Sequence, residues 1–160
     1  MYSSRLVILF ILLLIFPSCT ENEENTAVDG LTIDTTIVGK HGRLEAKGNQ
    51  IVDKNGNPMS LAGNSFFWSN DNWGGERYYK SEVVSWLKND WNTTIVRAAM
   101  GVEDPGGYID NKIGNKNRLK VIVEAAIEEG IYVIIDWHSH HAENYQDEAI
   151  EFFKEIATLY

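Results

Sequence analysis

A chain of 160 residues, 44% of them hydrophobic and 11% aromatic, is long enough to bury one sizeable core. Its formal net charge of −9 and the lack of any basic run exclude a surface built to grip nucleic-acid phosphates or anionic headgroups. The single cysteine excludes an internal disulfide.

In chain order, Met1–Arg5 carries a positive charge and no acid, and Leu6–Phe16 is an unbroken apolar run. A bilayer span takes about 20 residues, so this run is too short to cross one and fits the hydrophobic region of a secretory signal. Cys19 follows Pro17-Ser18, a placement that resembles a bacterial lipoprotein signal, in which that cysteine is lipidated. An ordinary cleaved signal with an incidental cysteine is the other reading. Residues 1–18 are expected to be the signal peptide. A lipid anchor at Cys19 would place the protein on the outer membrane or cell surface, its only link to a membrane. Residues 19–30 contain the polar, acidic stretch TENEENT and read as a disordered tether, and residues 31–160 as the folded domain.

Arg43–Ala46 and Gln50–Asp53 read as short strands around Lys47-Gly48-Asn49, and Asn55-Gly56 as a tight turn. Pro58–Gly63 reads as the next strand. The period then changes. Ser81 is placed to cap a helix carrying Val83, Val84 and Leu87, and the β-branched run Thr93–Ala99 reads as a strand. Leu119, Ile122, Val123, Ala126 and Ile127 follow the spacing of a one-sided helix, which Gly130 ends. Ile131–Trp137 is the near-continuous apolar strand of a sheet buried on both faces. Asn144, with Asp147 three residues on, has capping-box spacing for a helix burying Ala149, Phe152, Phe153, Ile156 and Tyr160.

Strand–helix alternation of this kind implies right-handed βαβ units, a parallel sheet and an α/β fold. Three strands do not close a barrel, and they leave an open edge. The last helix runs to the final residue, so the chain reads as a truncated domain.

In parallel α/β folds function gathers at the C-terminal strand ends. Arg97, at the end of the second strand, suits a fork of donors holding a carboxylate; a salt bridge to a neighbouring strand is the plainer alternative. Asp136 and His138 share one face of the third strand, with Trp137 on the other. His138 fits a hydrogen-bonding role toward a substrate hydroxyl or a catalytic acid, or a structural bond to backbone. His138-x-His140, with His141, has a metal-ligand spacing, but no Cys or acidic ligand pattern accompanies it, and His140 and His141 are read as loop residues. Trp68 and Trp73, in the loop FFWSNDNWGGERYY, could stack on sugar faces or simply pack over the sheet.

The stretches HGRLEAKGNQIVDKNGNPMSLAGNSFFWSN, WLKNDWNTTIVRAAMGVEDPGGYI and EGIYVIIDWHSHHAENYQDEAIEFFKEIATLY resemble the N-terminal half of bacterial cellulases of glycoside hydrolase family 5. The resemblance runs from about His41 to Tyr160. It implies a (β/α)₈ barrel, here about three βα units preceded by a short β-hairpin. It implies hydrolysis of β-1,4-glucan with retention, using two Glu about 5 Å apart and no metal or organic cofactor. Arg97 matches the family arginine that orients the nucleophile, and His138 the family histidine of the substrate cleft. Both catalytic Glu are expected beyond Tyr160, so the 160 residues alone are expected to hydrolyse no glycan. One departure is visible: Phe67 stands where many relatives have a histidine, which leaves the choice among cellulose, mixed-linkage glucan, mannan and xyloglucan open. The competing readings are a surface glycan-binding lipoprotein without catalysis and a metal-dependent amidohydrolase.

Overall fold

The computed structural model describes residues 33–160. The expected signal peptide, Cys19 and the expected acidic tether all lie outside the described residues.

The chain enters through a short helix, α1 (Ile37–His41), which the sequence did not suggest. Thr36 caps it by accepting the Gly39 N–H at 3.0 Å. The antiparallel hairpin of β1 (Glu45–Lys47) and β2 (Gln50–Val52) follows, turning at Gly48 with φ +63. Both strands differ by a residue or two from expectation. Asp53 leaves the ladder because its Oδ1 accepts the Asn55 and Asn57 N–H groups at 2.8 and 3.0 Å, closing the Asn55-Gly56 turn.

The expected strand Pro58–Gly63 is corrected: only Pro58 bridges, to Val52, and β3 is Gly63–Ser65. A parallel ladder can begin only where its partner does, and β4 (Ile95–Gly101) starts opposite Gly63. Any Cβ on Gly63 would collide with the Ile95 backbone, so the close approach requires glycine there. Beyond Ser65 the loop keeps following β4, with Phe66 N–H on Arg97 O at 2.9 Å and Ser69 N–H on Ala99 O at 3.1 Å.

Helix α2 (Ser81–Trp91) starts at Ser81 but is not capped by it; Lys80, in extended backbone, takes the cap position without a side-chain bond. It ends on Asn92, in the left-handed region at φ +52. Helix α3 (Lys112–Glu128) is capped by Asn111, which accepts the Gly114 N–H, and stops at Gly130 with φ +64. Strand β5 (Tyr132–His138) pairs in parallel along all of β4, giving the order β3-β4-β5. The capping box at Asn144 does not form: Asn144 closes a 3-10 turn by bonding His141 O, and α4 (Gln146–Leu159) begins after Tyr145.

One face of the sheet carries Val96, Ala98 and Met100, packed beneath Leu119, Ile122 and Val123 of α3. Phe152 and Ile156 of α4 are buried in the same core, while Phe153 and Tyr160 are exposed and Ala149 is half-buried. Ile127 is exposed too, so the buried stripe of α3 is one residue narrower than its spacing suggested. The other sheet face, bearing Arg97, Asp136 and His138, is only partly covered, by the aromatic loop at its mouth; Ile134 there is 48% exposed, against the expectation of burial on both faces.

Candidate active site

Arg97 lies in the third position of β4 and not at its end, because Met100 and Gly101 stay paired with Trp137 and His138. Period-two alternation nonetheless puts its side chain on the open face with those of Asp136 and His138. The guanidinium uses its fork. Nη1 donates to Ser65 Oγ at 2.9 Å, and Nη2 donates to Asp136 Oδ2 at 2.7 Å. His138 Nδ1 completes a triangle, 2.8 Å from Arg97 Nη2 and 3.0 Å from Asp136 Oδ2. With its proton Nδ1 donates to the carboxylate; without it, Nδ1 accepts from the guanidinium. Either way Nε2 is the nitrogen left without a partner from this cluster.

The aromatic loop joins this cluster through Trp68. Its ring stacks on Trp73 with centroids 5.3 Å apart and planes 13° from parallel. The rings of His138 and His140 each meet Trp68, at 4.3 and 5.2 Å, both in edge-type contacts. Phe67 is exposed and sits 6.4 Å from Trp73. The five residues singled out in the sequence, Arg97, Asp136, His138, Trp68 and Trp73, therefore form one contiguous surface at the sheet's mouth. His140 and His141 lie in the loop after β5, where His141 faces Glu143 at 3.5 Å. Among the described residues no three His, Cys, Asp or Glu side chains converge as a metal-ligating group.

Several residues that hold this surface carried no signal in the sequence. Ser65 links the first strand to Arg97. Tyr79 is buried, and its hydroxyl lies 2.9 Å from Phe67 O and 2.8 Å from Ala99 O, pinning the aromatic loop to β4. Burial, together with the nearby Asp136 charge, pushes the Tyr79 phenol far above its ordinary range, so it remains a donor. Farther along, Asp71 pairs with Arg118 and accepts from Asn111 Nδ2 at 2.8 Å. Buried Ser69 donates to buried Asn115 at 2.6 Å, and Asn70 Nδ2 reaches the Asp104 and Pro105 carbonyls. The loop carrying both tryptophans is thus fastened from three sides. A signal existed only for Asn70, Asn111 and Asn115, which cluster with glycines in turn-like sequence.

A parallel βα sheet with helices on one face and charged and aromatic groups on the other corresponds to the N-terminal part of a (β/α)₈ barrel. The family model Cellulase (glycosyl hydrolase family 5) matches residues 52–160, and the chain belongs to that family. It is 50% identical over 117 residues to endoglucanase Z of Dickeya dadantii, covering 73% of this chain and 27% of that protein. It is 36% identical over 133 residues to an endoglucanase of Clostridium saccharobutylicum, covering 79% of this chain and 28% of that one. Among solved structures, one from Cytophaga hutchinsonii superposes with TM-score 0.72 at 50% identity, covering 76% of this chain and 39% of the other. The catalytic domain of Thermobifida fusca endoglucanase superposes with TM-score 0.69 at 31% identity, covering 76% and 40%. The chain therefore spans little more than a quarter of the length of these curated relatives.

Proposed function

We propose that the full-length protein hydrolyses internal β-1,4-glucosidic bonds of cellulose or a related β-glucan, with retention of anomeric configuration. The observation that carries this reading is the stacked Trp68–Trp73 pair beside the Arg97–Asp136–His138 cluster on one open sheet face. Aromatic rings offer a flat apolar surface to the C–H faces of a glucosyl ring. The Arg97 fork fits the holding of a carboxylate nucleophile, and Nε2 of His138 fits a hydrogen bond to a sugar hydroxyl. The Thermobifida fusca catalytic domain was solved in complex with cellotetraose, which supports a β-1,4-linked glucan as the ligand class.

Retaining hydrolysis needs a proton donor and a carboxylate nucleophile about 5 Å apart. The acids at the strand ends described here have other engagements. Asp136 is held by Arg97, and Glu103 binds backbone N–H groups of the next loop. We therefore assign the reacting carboxylates to later strands of the barrel. The test is anomeric proton NMR during early hydrolysis of cellopentaose by the full-length protein. The β-anomer is expected first. Prior appearance of the α-anomer overturns retention, and tight binding of cellopentaose without turnover favours the non-catalytic glycan-binding reading.

A further inference from the structure

Glu103 stands two residues beyond the last paired residue of β4. Its Oε1 reaches across to the loop after β5 and accepts two successive backbone N–H groups, from His140 at 2.7 Å and His141 at 3.1 Å. Consecutive amides aimed at one anionic oxygen form a small backbone nest, and such charge-assisted bonds are about twice as strong as neutral ones. Burial works against the Glu103 charge, but the Ser139 side chain and these amides outweigh it and hold the carboxyl below its ordinary range. Its second oxygen, Oε2, is shielded from water and has no hydrogen-bond partner among the described residues. A shielded, half-satisfied carboxylate costs free energy, so packing alone does not account for it.

The clamped turn carries a ring of the cleft. His140 stands edge-on to Trp68 at 5.2 Å and to His138 at 5.6 Å. Ser139 Oγ also accepts the His141 N–H at 3.1 Å, so it is the His140 N–H that has Glu103 as its one acceptor among the described residues. Val102 N–H bonds His138 O just before it, and the 3-10 turn after it is closed by Asn144 and Tyr145 backbone N–H groups alone. The His141–Glu143 pair is two-thirds exposed on both sides, where ion pairs contribute little.

We propose that Glu103 is a positioning residue of the glucan cleft: by holding the His140 and His141 amides it sets the His140 ring against Trp68 and fixes the tilt of the Trp68–Trp73 platform. The proposal rests on the function given above for the identity of the ligand, a β-1,4-linked glucosyl chain, but not for the clamp itself. Glu103 bonds backbone and lies off the Arg97–Asp136–His138 cluster. Its loss therefore weakens binding of the sugar chain and leaves the chemical step intact, which separates KM from kcat.

The test uses the full-length protein as Glu103→Ala, Glu103→Gln and His140→Ala, with histidine ring resonances followed by NMR and kinetics measured on cellopentaose. His140→Ala assigns the His140 signal. In the unsubstituted protein that signal is expected to carry a ring-current shift from Trp68. Glu103→Ala should abolish the shift, and Glu103→Gln should retain it, because the amide oxygen still accepts both N–H groups. Glu103→Ala and His140→Ala should each raise KM about tenfold with kcat held within about twofold, and Glu103→Gln should stay within about threefold of normal. An unchanged His140 shift or KM in Glu103→Ala overturns the proposal, as does a Glu103→Gln variant as impaired as the alanine. If Glu103→Ala fails to fold, Glu103→Gln and His140→Ala carry the same readouts: an impaired glutamine variant, or a His140→Ala KM at the normal value, overturns the clamp. If the unsubstituted protein neither binds nor cleaves cellopentaose, the function fails, while the ring-current shifts still decide the clamp.

Discussion

Arg97 holds Ser65, Asp136 and His138 within hydrogen-bonding distance of a single guanidinium. A lysine would keep the charge but could not span Ser65 and Asp136, since an ammonium is a point donor and not a planar fork. If the proposed activity holds, Arg97→Ala in the full-length protein is expected to lower kcat on cellopentaose by about a hundredfold or more, with Arg97→Lys intermediate. A kcat near normal in the alanine variant would remove the residue from the machinery. The stability cost should be smaller, because the pair is partly open to water and screened. At this scale the sequence was legible wherever alternation on one strand sets the geometry, as for Asp136 and His138. It was silent on Ser65, whose partner lies 32 residues away, and on Tyr79, whose carbonyl partner Ala99 lies 20 away. No spacing rule connects hydroxyls to acceptors across strands.

The hairpin and α1 form an element whose polar centre is Asp53. The Asn57 backbone N–H is the largest influence on its carboxyl; burial opposes it, and His41 and Asn55 reinforce it, bringing the pKa down to about 2. A carboxylate free in an unfolded chain titrates at about 4. The folded value is the lower one, so the contribution to stability is fully present above the unfolded value and drains away as pH falls from about 4 through about 2. Thermal melts of the full-length protein at descending pH should show Tm falling across that window. Asp53→Asn should lower Tm at neutral pH and flatten the acid limb; an equally steep acid limb in that variant would rule Asp53 out as its origin. The elements themselves were readable where a period runs long, as in α3 and β5. Gly130 also marked the end of α3, but the helix starts were not readable. Ser81 and Asn144 have capping chemistry, but the preceding 3-10 turns decide the angle at which the chain enters each helix, and that angle comes from tertiary anchors such as Tyr79.

At the scale of the molecule, α/β alternation was enough to define the parallel sheet, because βαβ handedness leaves few other arrangements. The fastening of the 66–79 loop by Asp71 and Tyr79 was not legible, since those bonds depend on which loops meet at the sheet's mouth. The described part also bears an open sheet face and a free outer edge on β5. Residues 33–160 produced alone are therefore expected to be molten or aggregated, binding apolar dyes and hydrolysing no carboxymethyl-cellulose. A well-dispersed amide spectrum with a cooperative melt would contradict this, as would activity within a tenth of the full-length rate.

The floor of the sheet sets the order in which the chain can assemble. Val38 N–H bonds Gly130 O at 3.1 Å, and the Tyr132 hydroxyl donates to Gly42 O at 2.6 Å, a contact spanning 90 residues. Closing so long a loop is entropically costly and slow compared with forming a local helix. During synthesis α1 and Gly42 must wait for β5 before these partners exist, so among the described elements they are late to become protected from proteases and solvent exchange.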